Sequence, residues 1–125
     1  MVLRTEDMMA GVLLVEDDAA IADLYALKLR LDGYTVSVAC DPISAGEAFE
    51  RERPAVVCLD VRLPGGGGEA LAERFSAAGA CVVLLTNDQS CYERPPRGVT
   101  RSLLKAQTNP AQLSATLAEL LSTGT

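Results

Sequence analysis

The chain contains no histidine and no tryptophan, and its aromatic side chains are three tyrosines and two phenylalanines. Without histidine a mixed Cys/His metal site cannot be completed, and Cys40, Cys58, Cys81 and Cys91 include no C-x-x-C pair. They read as ordinary reduced thiols, with Cys58 and Cys81 inside apolar runs where a free cysteine behaves as a small hydrophobe. Scarce aromatics point to a core of Leu, Val and Ala and leave little to stack on a flavin ring. Positive charge is also short. Eleven Lys and Arg against 17 Asp and Glu give a formal charge of −6, which argues against direct nucleic-acid binding, because that affinity comes mainly from cations neutralising phosphates. The expected partners are proteins. No apolar run approaches the roughly 18 residues of a membrane span, and residues 1–10 (MVLRTEDMMA) hold acids where a signal peptide needs an apolar stretch. The expectation is a cytoplasmic protein with no membrane association, a flexible extension over residues 1–10 and one domain over residues 11–125.

What is present is organised around residues 55–68, AVVCLDVRLPGGGG, where an apolar run stops at Asp60 and gives way to Pro64 and four glycines. Strands of a parallel sheet covered on both faces read as unbroken apolar runs, and the site of such a sheet lies beyond their carboxyl ends. Similar runs occur at residues 11–15 (GVLLV) and 81–85 (CVVLL), with a β-branched alternation at 35–39 (TVSVA) and a weak strand at 101–104 (RSLL). Helices are expected between them. Asp18 can cap a helix over residues 19–31, in which Ile21, Leu24, Tyr25, the Lys28 stem and Leu31 follow helical spacing and Gly33 provides the stop. Asp41-Pro42 and Asn109-Pro110 read as cap and first position of two more helices, running to about Glu52 and through Leu121. A helix near residues 69–78 follows the glycines, whereas Pro95-Pro96 and Gly98 leave room for one or two helical turns at most. Five β/α units in alternation predict an α/β fold, a doubly wound five-stranded parallel sheet with helices on both faces. Every strand then ends at one rim, where Glu16, Asp17, Asp60, Thr86 and Lys105 can converge.

In this setting VLLVEDD, VVCLDVRLPGGGG, VVLLTN and the lone Lys105 after a short strand resemble the markers of a response-regulator receiver domain, in that family's order, from Val12 to about Leu121. The resemblance implies the flavodoxin-like strand order 2-1-3-4-5. It also implies two-component signalling, in which a sensor histidine kinase or a histidine phosphotransfer protein passes a phosphoryl group to Asp60 and a downstream protein senses the change. A second copy of the chain is a further candidate partner. Mg2+ is the implied cofactor, a hard cation that prefers oxygen ligands and keeps several waters. Asp17 and Asp60 would bind it directly, Glu16 through water and Arg62 through its backbone carbonyl. Thr86 would donate to a phosphoryl oxygen, Lys105 would pair first with Asp60 and then with its phosphate, and Arg62, Asn87 and Asp88 would tune the site, with Arg62 and Asp88 expected to pair across its mouth and restrict water. The implied protein is a phosphoacceptor, with at most self-phosphorylation from small donors and autodephosphorylation. Without a metal, three crowded carboxylates should repel one another and raise at least one pKa.

The chain departs from the family pattern at three places: Asn87 where a small residue is usual, Ser102 where an aromatic switch is usual, and Ala106 where proline usually follows the lysine. These departures motivate an alternative, a phosphorylation-independent interaction module on the same fold. A phosphatase of the haloacid-dehalogenase type is disfavoured by Arg62, which stands where that family needs a second aspartate. The glycines match neither G-x-G-x-x-G nor a P-loop, so they read as a hinge rather than as a nucleotide cradle. The 125 residues are expected to hold no output domain, which leaves a stand-alone regulator, a phosphorelay intermediate and a piece of a longer protein all open.

Overall fold

The computed structural model describes residues 10–123, so the extension read at residues 1–10 lies almost wholly outside the described residues. Five strands and five helices alternate: β1 Gly11–Val15, α1 Ala19–Leu31, β2 Thr35–Ala39, α2 Pro42–Glu52, β3 Val56–Leu59, α3 Gly68–Ala77, β4 Cys81–Thr86, α4 Gln89–Glu93, β5 Val99–Leu104 and α5 Pro110–Thr123, with a 3-10 turn at Lys105–Gln107 before α5. The sheet is wholly parallel in the order β2-β1-β3-β4-β5. The predicted fold class and strand order therefore hold.

Alternation along the central strands divides the core in two. Val12 and Leu14 of β1, with Val56 and Cys58 of β3, face α1 and α5, where Tyr25, Leu29, Leu113 and Leu117 close over them. Leu13, Val15, Val57 and Leu59 face α2 and α3, where Phe49 and Phe75 stack with ring centroids 4.3 Å apart. All four residues of β3 are fully buried, so the strand that carries Asp60 is the most enclosed part of the chain. Each such Val or Leu contributes on the order of 1.5–3 kcal/mol by leaving water.

Helix α1 has the predicted bounds but not the predicted face. Its buried residues are Ala22, Tyr25, Ala26 and Leu29, while Leu24 and Leu31 stand 62% and 73% exposed. The two alanines explain the rotation, because their short side chains let the helix backbone approach the sheet along the face that also carries Tyr25 and Leu29, which leaves Leu24 and Leu31 outside. Helix α4 is a single five-residue turn with no buried residue, as Pro95-Pro96 foretold. Strand β5 begins at Val99, two residues before its predicted start, and pairs with β4 through a register irregularity between Val82 and Val83.

The four glycines form the turn into α3. Gly65, Gly66 and Gly67 all have positive φ (82°, 79° and 89°), which L side chains rarely adopt. A Cβ on Gly68 would lie 2.4 Å from Val61 Cα and 2.5 Å from its carbonyl oxygen. The run thus turns the chain sharply and then lets α3 start against the backbone of the loop that carries Asp60. No helix among the described residues is long and apolar enough to cross a membrane.

Candidate functional site

The three acids after β1 have separate tasks. Asp18 caps α1, its Oδ1 accepting the Ile21 N–H at 3.1 Å, and Asp17 is exposed at the rim. Glu16 is only 3% exposed; its backbone N–H donates to the Ala39 carbonyl at 3.0 Å and its Oε2 accepts the Asp18 N–H at 3.2 Å. Asp60, one residue beyond β3 and 6% exposed, donates its N–H to the Val15 carbonyl at 3.3 Å and accepts the Arg62 N–H on Oδ1 at 3.0 Å.

Lys105 joins these two acids from 3-10 turn geometry. Its Nζ lies 2.5 Å from Glu16 Oε1 and 2.7 Å from Asp60 Oδ2, with the side chain largely buried. Lys105 pairs with Asp60 as expected and is shared with Glu16, while Asp17, exposed at the rim, still acts on Glu16 and helps to raise its pKa. The Glu16 carboxyl is raised as foreseen, but chiefly by burial, which the Lys105 and Asp18 hydrogen bonds only partly offset. Burial pushes the Lys105 ammonium down, yet hydrogen bonds and charge from Asp60 and Glu16 outweigh it and hold the pKa above its usual value.

The loop after β4 closes the remaining side. Thr86 is the last residue of the strand and fully buried, with Oγ1 accepting the Asp88 N–H at 3.0 Å. Asp88 caps α4 through the Cys91 N–H at 3.0 Å, while its Oδ2 takes Arg62 Nε at 2.7 Å and the Arg62 Nη2 as well. The Cys91 N–H, helped by the Arg62 guanidinium, holds the Asp88 carboxyl below its usual range. Arg62 and Asp88, two residues beyond Asp60 and Thr86, thus pair across the site mouth as read from the sequence. Asn87 Oδ1 accepts the Ala106 N–H at 2.9 Å. Three loops are thus tied in a ring: Asp60's to Asp88's by Arg62, Asp88's to Lys105's by Asn87, and Lys105's back to Asp60.

The oxygen donors at the rim, Asp17, Asp60 and the Arg62 carbonyl, suit a hard divalent cation that keeps most of its own waters. Among the described residues no three acidic, Cys or His side chains are gathered closely enough to form a metal cluster, since Glu16 and Asp60 are drawn onto Lys105. The chemistry of the donor set fits Mg2+. Two contacts escaped sequence reasoning. Tyr25, counted as core, donates its hydroxyl to the buried Thr108 carbonyl at 2.6 Å, and Asn87 and Ala106, noted as separate oddities, are one hydrogen bond. No local pattern signals either.

The sheet order and the rim of acids with one lysine define a flavodoxin-like α/β domain built around a strand-end aspartate. Residues 12–112 match the response regulator receiver domain model, and the chain belongs to that family. Among curated proteins it is 33% identical over 93 residues to the probable transcriptional regulatory protein TcrX of Mycobacterium tuberculosis, covering 73% of this chain and 40% of that one. Among solved structures it superposes on the chemotaxis response regulator CheY4 of Vibrio cholerae with a TM-score of 0.79 and 27% identity, covering 90% and 98% of the two chains. The BeF3-activated N-terminal receiver domain of Klebsiella pneumoniae RstA matches with a TM-score of 0.74 and 32% identity, covering 86% and 94%. The chain spans 32–40% of the length of the first curated relatives it matches.

Proposed function

We propose that Asp60 accepts a phosphoryl group from the phosphohistidine of a sensor histidine kinase or a histidine phosphotransfer protein, and that the changed rim alters binding to a downstream protein. An Asp60 carboxylate oxygen bonds to phosphorus, the P–N bond of the donor breaks, and the donor imidazole keeps the electron pair and takes up a proton. The observation that carries the reading is Lys105 Nζ at 2.7 Å from Asp60 Oδ2, a cation held ready beside a buried nucleophile. Lys105 would offset the charge of the incoming group, and the Thr86 hydroxyl, whose oxygen accepts the Asp88 N–H, would donate its proton to a phosphoryl oxygen. Asp17, Asp60 and the Arg62 carbonyl, with Glu16 through water, would hold Mg2+, which supplies charge neutralisation for the transfer. The protein turns over no external substrate in this reading, and it works in the cytoplasm, where the kinase domains that feed it act.

Acetyl phosphate with Mg2+, followed by intact mass, tests it. A phosphoryl adduct on the wild type that is absent from Asp60→Asn is the expected result; no Asp60-dependent adduct from either acetyl phosphate or a phosphorylated histidine donor refutes it. Two observations favour a second reading, the phosphorylation-independent module: α4 is a single turn, and Ser102 occupies the aromatic switch position with its Oγ enclosed and without a hydrogen-bond partner. Beryllofluoride with Mg2+ separates the two, since only the first predicts NMR shift changes at Asp60 and Thr86.

A further inference from the structure

Residues 87 and 106 are 19 apart in the chain, on different loops, and joined by one hydrogen bond from the Ala106 N–H to Asn87 Oδ1 at 2.9 Å. The donor is a backbone N–H, so the acceptor facing it must be the side-chain carbonyl. Proline at 106 would remove that donor, and a small residue at 87 would remove the acceptor. The two departures from the family pattern are therefore complementary: each makes sense given the other.

The bond sits where it can matter. Ala106 is in the 3-10 turn Lys105–Gln107, whose first N–H groups have no partner within the turn. At the far end the turn is fixed by the Thr108 N–H on the Lys105 carbonyl at 3.2 Å and by the Tyr25 hydroxyl on the Thr108 carbonyl at 2.6 Å. At the near end the turn follows Leu104, paired with Thr86 in the sheet, and Asn87 ties the N–H one residue beyond the lysine. A lysine side chain carries about 2 kcal/mol of rotamer entropy, so a fixed backbone origin is what lets it stay on two carboxylates. No peptide bond among the described residues is cis, so the Lys105–Ala106 link is an ordinary trans bond, and Ala106, unlike proline, has an N–H to donate.

We propose that Asn87 is a positioning residue that acts through Ala106: by holding the Ala106 N–H it fixes the turn from which Lys105 reaches Glu16 and Asp60, and it couples the loop carrying Thr86 to the loop carrying the lysine. This rests on Asp60 as the phosphoacceptor, but the tie itself is judged separately. In the 15N-labelled full chain, the wild type is expected to show a slowly exchanging Ala106 amide and an observable Lys105 ammonium resonance. Asn87→Ala and Ala106→Pro should each abolish the ammonium resonance while the β1 and β3 amide shifts stay in place, and Asn87→Asp, which keeps an acceptor oxygen, should retain Ala106 protection. With acetyl phosphate and Mg2+ each loss-of-bond variant should slow adduct formation roughly fivefold, the scale of one neutral hydrogen bond, and the double variant should be no slower than either single one. An ammonium resonance unchanged in both single variants, or effects that multiply in the double variant, would overturn the proposal. If the wild type forms no adduct with any donor the acceptor reading fails, while the amide and ammonium signals still decide the tie.

Discussion

Arg62 reaches Asp88 across 26 residues of sequence, its Nε 2.7 Å from Asp88 Oδ2, and so spans the mouth of the site above Asp60. The Arg62 side chain is 69% exposed while the Asp88 side chain is 15% exposed, so the pair forms a cover with one solvated half. If Asp60 carries an acyl phosphate as proposed, the pair would hinder water on its way to it. Arg62→Ala is expected to speed loss of the phosphoryl group by a few-fold, no more, because exposed ion pairs are weak and screened by salt. Timed intact-mass decay of the phosphorylated protein checks this; an unchanged decay rate would remove the covering role.

Gly68→Ala should destabilise the fold by about 1–3 kcal/mol or more, because the added Cβ would fall 2.4 Å from Val61 Cα, a backbone atom that cannot swing away. Gly65→Ala meets nothing within 4 Å and should lose only the roughly 1–2 kcal/mol of a left-handed backbone. Urea unfolding of both variants gives the order; a Gly65 variant less stable than the Gly68 variant would contradict it.

Burial pushes the Cys58 thiol from 9.0 up to about 12. A pKa raised by folding gives stability that is complete below pH 9 and lost as pH rises towards 12, since the unfolded thiol ionises first. The loss amounts to roughly 4 kcal/mol at most. Unfolding free energy measured from pH 8 upwards should fall more steeply for the wild type than for Cys58→Ala. In the native protein at pH 8 the exposed Cys40 should react with a thiol reagent while Cys58 does not.

Tyr25→Phe keeps the ring in the core but removes the hydroxyl from the buried Thr108 carbonyl, 2.6 Å away. The expected cost is about 1–3 kcal/mol, that of a buried acceptor left without its donor. Thermal unfolding measures it, and faster exchange of the Thr108 amide, which bonds the Lys105 carbonyl, would show that the damage reaches the turn.

Features fixed by neighbours in sequence were legible from it. Asp18 and Gly33 set the ends of α1, Asp41-Pro42 opened α2, and Pro95-Pro96 kept α4 to one turn. Strand β5 was harder, because its half-buried residues owe their conformation to pairing with β4 rather than to their own propensity. The α1 face was misread for a related reason: Leu24 and Leu31 have helical spacing, but Ala22 and Ala26 decide which side can approach the sheet. At the site, the residues that converge could be named from strand ends alone. The pairing of Arg62 with Asp88 was legible too, from their matching places two residues beyond Asp60 and Thr86, whereas Lys105 on Glu16 and Asn87 on Ala106 were not, since each joins loops with no such correspondence.

A parallel sheet places the pieces of its rim far apart along the chain, and the Lys105–Glu16 contact spans 89 residues. Contacts of that range form after the local ones, because loop closure must be met first. On a ribosome, Asp60 would emerge and β3 could pair with β1 well before residue 105 is made. The nascent chain would hold Asp60 with no lysine to answer it, so the ammonium shared by Glu16 and Asp60 arrives as one of the last events of folding.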